Sequence, residues 1–116
     1  MTATDWIEGY KKAWASNERD DIRALFTEDA RYQTSPTSAW REGVDAIVDG
    51  WIADKDEPGD YTFEYEVIEE SPTFALMRGV TDYSPVNRAT YDNLWVIRFA
   101  RDGRATEFIE FYKARE

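Results

Sequence analysis

The sequence predicts an α+β fold, a curved antiparallel sheet laid over N-terminal helices and enclosing a pocket lined by aromatic side chains. Three observations predict it. Apolar residues in the first half recur at helical spacing, as in Trp6, Ile7, Tyr10, Ala13 and Trp14. From residue 61 the period drops from 3.6 to 2. Aromatics make up 16% of the chain, and that surplus of rings needs somewhere to go.

Each element follows in order. Residues 5–16 read as an amphipathic helix, with Thr4 or Asp5 placed to cap its start. The polar stretch 15–19 breaks it. Asp20 or Asp21 then opens a short second helix whose Ile22, Leu25 and Phe26 face inward. Residues 30–34 read as a short strand, and residues 35–39, with Pro36, as a loop. Gly43 precedes a third helix carrying Val44, Ile47, Val48, Trp51 and Ile52, which ends near Lys55, before Pro58-Gly59. Tyr61, Phe63, Tyr65 and Val67 alternate with polar residues in the next strand. Ser71-Pro72 is a turn, 74–83 a strand, 84–90 a polar loop and 91–100 a long strand. Asp102-Gly103 is a hairpin signal, and 104–113 is the last strand. Helices segregated from an antiparallel meander indicate α+β. The long strands carry apolar residues on both faces, so the outer face also needs cover, and a homodimer through it is expected.

At 116 residues the chain fits one domain, 1–116. The net charge of −10 argues against nucleic acid, whose phosphates demand Lys and Arg, and against an anionic membrane surface. No stretch reaches the roughly 18–20 apolar residues of a membrane span. There is no cysteine for a disulfide framework and no signal-like N-terminus, so a cytoplasmic location is expected. Histidine is also absent. Proton transfer must then use carboxylates, tyrosines or lysines, and a metal would need all-oxygen ligands, for which no loop has the spacing. No cofactor is expected.

The runs Tyr10-Lys-Lys-Ala-Trp14-Ala-Ser-Asn and Asp21-Ile-Arg-Ala-Leu-Phe-Thr-Glu-Asp-Ala30 resemble the opening of SnoaL-like domains of the nuclear transport factor two-like superfamily. Gly43-Val-Asp-Ala-Ile47 with Trp51, and Arg101-Asp-Gly-Arg104 with Phe108-Ile-Glu-Phe-Tyr112, resemble that family's third helix and last hairpin. The resemblance implies a cone-shaped, cystatin-like α+β barrel with a pocket at its wide end, which commonly dimerises through the outer sheet face. It does not imply one function, because the superfamily holds isomerases, cyclases, dehydratases, epoxide hydrolases and non-enzymatic binding domains.

Set against the ketosteroid isomerases of that superfamily, Tyr10 falls at the oxyanion-stabilising tyrosine. Thr34 falls at the carboxylate base and Trp95 at the second acid, so that mechanism is not expected here. The last strand offers another carboxylate. Thr106, Phe108, Glu110 and Tyr112 share one face, and the family register points that face into the pocket. Glu110 between aromatics is then a candidate base or acid with a raised pKa. A one-residue slip would hand the role to Glu107, and pairing with Arg78 or Arg98 would remove it. Asn93 and Trp95 on the preceding strand, with Trp14, Tyr32 and Trp51, complete the expected lining. The expected ligand is a small apolar or aromatic molecule. Three readings remain open: a binding domain, a cofactor-free isomerase, lyase or hydrolase using Glu110 and Tyr10, and a protein-interaction module.

Overall fold

The computed structural model describes residues 2–35, 37–86 and 88–115. Pro36 and Asn87, which the sequence places in loops, and the terminal residues Met1 and Glu116 lie outside the described residues.

The first helix, α1 (Ala3–Ser16), starts two residues earlier than its periodicity suggests. Its cap is Thr2, not Thr4 or Asp5. The Thr2 hydroxyl accepts the Asp5 N–H at 3.2 Å, and the Asp5 carboxylate accepts the Thr2 N–H at 2.9 Å. This reciprocal box satisfies two donors that would otherwise be orphaned at the helix start. Trp6, Ile7, Tyr10 and Ala13 form its buried face. Asn17 ends it in the left-handed conformation, φ 54°, one of the few roles in which a non-glycine residue adopts positive φ readily. The short α2 (Arg19–Arg23) follows Glu18 without a side-chain cap, so neither Asp20 nor Asp21 opens it.

Strand β1 runs Phe26–Gln33, longer than the expected 30–34. Phe26 is buried as predicted, but it belongs to this strand, where it pairs with Ala105. A two-residue strand, β2 (Arg41–Glu42), pairs with β1 and has no counterpart in the sequence reading. Two residues are too short to show a period. Gly43, at φ 86°, turns the chain from β2 into α3 (Val44–Ala53), a conformation L side chains rarely adopt.

The meander follows as β3 (Thr62–Ser71), β4 (Phe74–Asp82), a 3-10 turn at Ser84–Val86, β5 (Thr90–Phe99) and β6 (Ala105–Ala114). The sheet order is β2-β1-β6-β5-β4-β3, with β1 parallel to β6 and all other neighbours antiparallel. The sheet is therefore mixed, and bulges at Val67/Glu69 and Arg98/Phe99 help to curve it around the helices.

The second bulge corrects the expected face of β6. Phe99 pairs with Ala105 and Arg98 with Glu107, leaving Thr106 as the extra residue. Ala105 is fully buried, while the Thr106 hydroxyl bonds the Arg98 carbonyl at 3.3 Å near the surface. Strict alternation resumes only from Glu107, so Phe108, Glu110 and Tyr112 keep their inward parity and Thr106 does not.

The core lies between α1, α3 and the inner sheet face, and includes Ile7, Phe26, Ile47, Met77, Trp95, Ile97 and Phe108, each 1% exposed or less. On the outer face Leu76, Leu94, Val96 and Ile109 are only partly covered, and Phe111 is 37% exposed. Among the described residues no helix is long and apolar enough to cross a membrane.

Candidate functional site

At the open end of the curved sheet lies a cavity of about 400 Å³. Of the ten residues the sequence nominated, eight line it: Tyr10, Trp14, Tyr32, Thr34, Trp51, Asn93, Glu110 and Tyr112. Trp95 and Phe108 do not. They lie directly beneath, 1% and 0% exposed, with Trp95 stacked on Phe63 at 5.3 Å and edge-on to Phe108 at 5.0 Å.

Glu110 occupies the floor. Its carboxylate accepts the Tyr32 hydroxyl at 3.0 Å and the Trp95 indole N–H at 3.2 Å. Burial penalises its charged form and pushes its pKa up to about 7, against the pull of those two hydrogen bonds and of Arg41. Register explains why this carboxylate is inside. Glu110 pairs across to Trp95, whereas Glu107 opposes Arg98 on the outer face and is bound by Arg31 at 3.0 Å. The two arginines the sequence offered as partners for Glu110 are engaged elsewhere. Arg78 pairs with Glu66 at 3.2 Å, and Arg98 lies over the Phe74 ring.

Tyr32 and Tyr10 stand beside this carboxylate on the cavity wall. Both phenols are buried, and burial, followed by the Glu110 charge, raises both pKa values well above the ordinary tyrosine range. They therefore remain protonated donors. The two side chains also interact with each other. The Tyr10 ring is fixed by Trp95 at 4.4 Å and Trp51 at 4.8 Å. Asn93 is 6% exposed and its Oδ1 accepts the Thr81 hydroxyl at 2.7 Å. Among the described residues its Nδ2 donates to no side chain or carbonyl.

A second carboxylate, Asp56, stands across the cavity and was not foreseen. It accepts Trp14 Nε1 at 3.1 Å, the Tyr83 hydroxyl at 2.8 Å and Arg88 at 3.0 Å. The amide of Asn17, at the end of α1, holds the Asp56 backbone carbonyl at 2.8 Å. In the sequence, Asp56 is one acid in the charged run that follows α3, and nothing in its spacing marks it. Tyr83 could have been found. It continues the inward parity of Ala75, Met77 and Thr81, which are all buried. Arg41, Lys55 and Arg88 also line the cavity and were missed.

Aromatic rings form much of the wall, but charged groups line it too. Seven aromatics are joined by Arg41, Asp54, Lys55, Asp56, Arg88 and Glu110. Such a lining suits a molecule with a flat apolar body and at least one polar group better than a pure hydrocarbon. Among the described residues there is no cluster of acids able to hold a metal ion.

The family described as the SnoaL-like domain matches residues 7–108, and the chain belongs to it. Solved structures share the fold. An NTF-2 like protein of unknown function from Burkholderia xenovorans superposes with a TM-score of 0.76 at 12% identity, covering 97% of this chain and 84% of its own. A steroid delta-isomerase from Pseudomonas aeruginosa gives 0.67 at 14%, covering 96% and 79%. A LEH-like epoxide hydrolase from M. tuberculosis gives 0.64 at 15%, covering 94% and 80%. At these identities the likeness establishes a cystatin-like, nuclear transport factor two-like fold and no activity. No curated protein matches the chain.

Proposed function

We propose that this protein binds a small, ring-bearing molecule in the cavity and that Glu110 exchanges a proton with it, as in a cofactor-free isomerase, lyase or hydrolase. One observation carries the reading. A carboxylate sits at the floor of a 400 Å³ cavity, held by a phenol and an indole N–H, and takes no cation into direct contact among the described residues. A purely structural carboxylate at such a depth is ordinarily paired with an arginine or lysine. Glu110 instead has a pKa raised to about 7, which suits a group that gives and takes protons near neutral pH. Tyr10 is the complementary donor, a phenol able to stabilise an oxygen on which negative charge develops. Solved structures of the same fold that are named as a steroid delta-isomerase and a LEH-like epoxide hydrolase make this class of reaction consistent with the fold.

The test is a thermal-shift and NMR screen of aromatic carbonyl compounds against the wild type and Glu110→Gln. Wild-type binding should change across pH 6–8, and the variant should bind with no pH dependence in that range. Ligands whose binding is unaffected by Glu110→Gln at every pH would sink the proton-exchange reading.

We further propose that the protein is a homodimer through the outer sheet face, on the strength of the apolar row Ile109, Val96 and Leu76 and of Phe111 beside Leu94. Light scattering at micromolar concentration should give twice the mass of one chain. A monomer there would refute the dimer.

A further inference from the structure

The reading of the cavity as a ligand site says nothing of what end of the ligand is recognised, and that question turns on Arg41. This residue stands in the two-residue strand β2, opposite Tyr32 across the ladder, and lines the cavity. Its side chain is only 23% exposed, low for an arginine in a pair whose partner, Asp54, is 74% exposed. Three contacts hold it there. Asp54 accepts from Nη2 at 2.9 Å. The Tyr32 ring faces the guanidinium at 5.4 Å. The third contact is an absence of atoms. A Cβ at position 50 would lie 2.5 Å from Arg41 Nε, 2.6 Å from Cζ and 2.9 Å from Cδ. No other residue type at position 50 would leave the guanidinium where it is.

Gly50 is in the interior of α3. A helix interior is an unfavourable place for glycine, by roughly 1 kcal/mol relative to alanine. Nothing in the helix geometry asks for it, because its φ is helical and not positive. The arginine lying in the notch is what the missing side chain accommodates. Arg41 is thus seated between a helix backbone and an aromatic ring, with one nitrogen tied to an exposed carboxylate. Among the described residues Nε and Nη1 have no acceptor. A guanidinium presents donors in a planar fork that matches a carboxylate with two parallel hydrogen bonds.

Building on the ligand-site reading above, we propose that Gly50 is a seat for Arg41, and that Arg41 is the anion-recognising group of the cavity, which therefore takes a small aromatic carboxylate with its ring against the Tyr10, Tyr32 and Trp51 wall. Charge balance favours this. The chain as a whole has a net charge of −10, yet the cavity lining carries three cations, Arg41, Lys55 and Arg88, against three acids, Asp54, Asp56 and Glu110. An anionic ligand approaching this one region meets no net negative lining, and any proton on Glu110 tips it positive. Of the three cations, Lys55 and Arg88 are about half exposed, while Arg41 is the least exposed and the one whose position is fixed by packing.

The experiment compares 2-naphthoate with its neutral counterpart 2-naphthamide by isothermal titration at pH 7, in the wild type, Gly50→Ala and Arg41→Met. The wild type should prefer the carboxylate by about tenfold or more, the scale of a charge-assisted pair. Gly50→Ala keeps every functional group and improves the helix, so it should melt no lower than the wild type. It should nonetheless lose the preference to within about twofold, through weaker binding of the carboxylate. Arg41→Met should do the same by removing the charge. Equal wild-type affinity for acid and amide would overturn the anion site and leave the ligand cavity standing. Preference retained in Gly50→Ala but lost in Arg41→Met would overturn the seat. If neither probe binds the wild type, the cavity reading itself falls, and the inference falls with it.

Discussion

The two ends of the barrel are built from different aromatics. Five of the seven tyrosines line the cavity, Tyr10, Tyr32, Tyr83, Tyr91 and Tyr112, and none of the six phenylalanines does. Phe26, Phe99 and Phe108 instead cluster around Trp6 at the closed end, at centroid separations of 5.9, 6.1 and 5.4 Å. Only the Trp6 indole there needs a partner, and it finds the Leu25 carbonyl at 2.8 Å. The difference is one of hydroxyls. A ring that must meet only other rings can be phenylalanine, and its burial is uncomplicated gain. A ring that must also meet water, ligand or carboxylate carries an oxygen that has to be satisfied. The closed end stabilises the fold, and the open end gives up packing to hold polar atoms in place.

The comparison predicts a sharp asymmetry in cost. The largest effect belongs to Phe108→Ala. Phe108 is fully buried and touches Trp6, Tyr10, Tyr32 and Trp95 at 4.8–5.6 Å. Emptying that site should destabilise the protein by about 3–5 kcal/mol in urea denaturation. A cost below about 1 kcal/mol would mean that the closed end is not the well-packed half.

Next in size is the pH dependence contributed by Glu110. Its folded pKa, about 7, lies above the ordinary 4.5 of the free side chain. Between those values the unfolded chain has released the proton and the folded chain keeps it. The unfolded state then binds fewer protons, so stability falls as pH rises from about 4.5 through 7. The full loss is on the order of 3 kcal/mol. Asp5, Asp82, Asp92 and Asp102 act in the opposite sense, since hydrogen bonds hold their pKa values down. Their contribution is lost only as pH falls below about 4, a separate window. Denaturation of the wild type and Glu110→Gln at pH 5 and pH 8 should show the variant gaining on the wild type at the higher pH. Parallel profiles would contradict a desolvated carboxylate with no cation in contact.

The sequence disclosed the two ends unequally. Helix and strand periods located α1, α3 and the four long strands to within about two residues, because each buries one regular face. The closed-end residues followed from those same periods, whereas the inward parity of Glu110 came from the family resemblance, since the period alone left Glu107 as an alternative. What escaped was whatever depends on a break in period. Thr106 was misassigned because one bulge shifts the parity, and β2 is too short to have a period at all. Asp56, Arg41 and Arg88 reach the cavity from chain that no repeat governs. Arg41 is the clearest case. Its position depends on a side chain missing nine residues later in another element, and nothing local to either residue reveals the pairing.

The smallest effect sharpens the comparison most. Tyr32→Phe keeps the ring stacked on Phe108 at 4.8 Å and removes only the hydroxyl that serves Glu110. At the closed end the same change in chemistry would be neutral, because no hydroxyl is used there. At Tyr32 it should cost about 1 kcal/mol near pH 8, where the lost hydrogen bond is to a charged acceptor, and less near pH 5, where Glu110 is protonated. The same bond lowers the Glu110 pKa, so its removal should move that pKa above the present value of about 7. A carbon-13 NMR titration of the glutamate side chains reads this shift directly. An upward shift with a modest, pH-dependent loss of stability places the hydroxyl in the service of the carboxylate. An unmoved titration would instead make Tyr32 one more packing ring, and the open end would differ from the closed end only in shape.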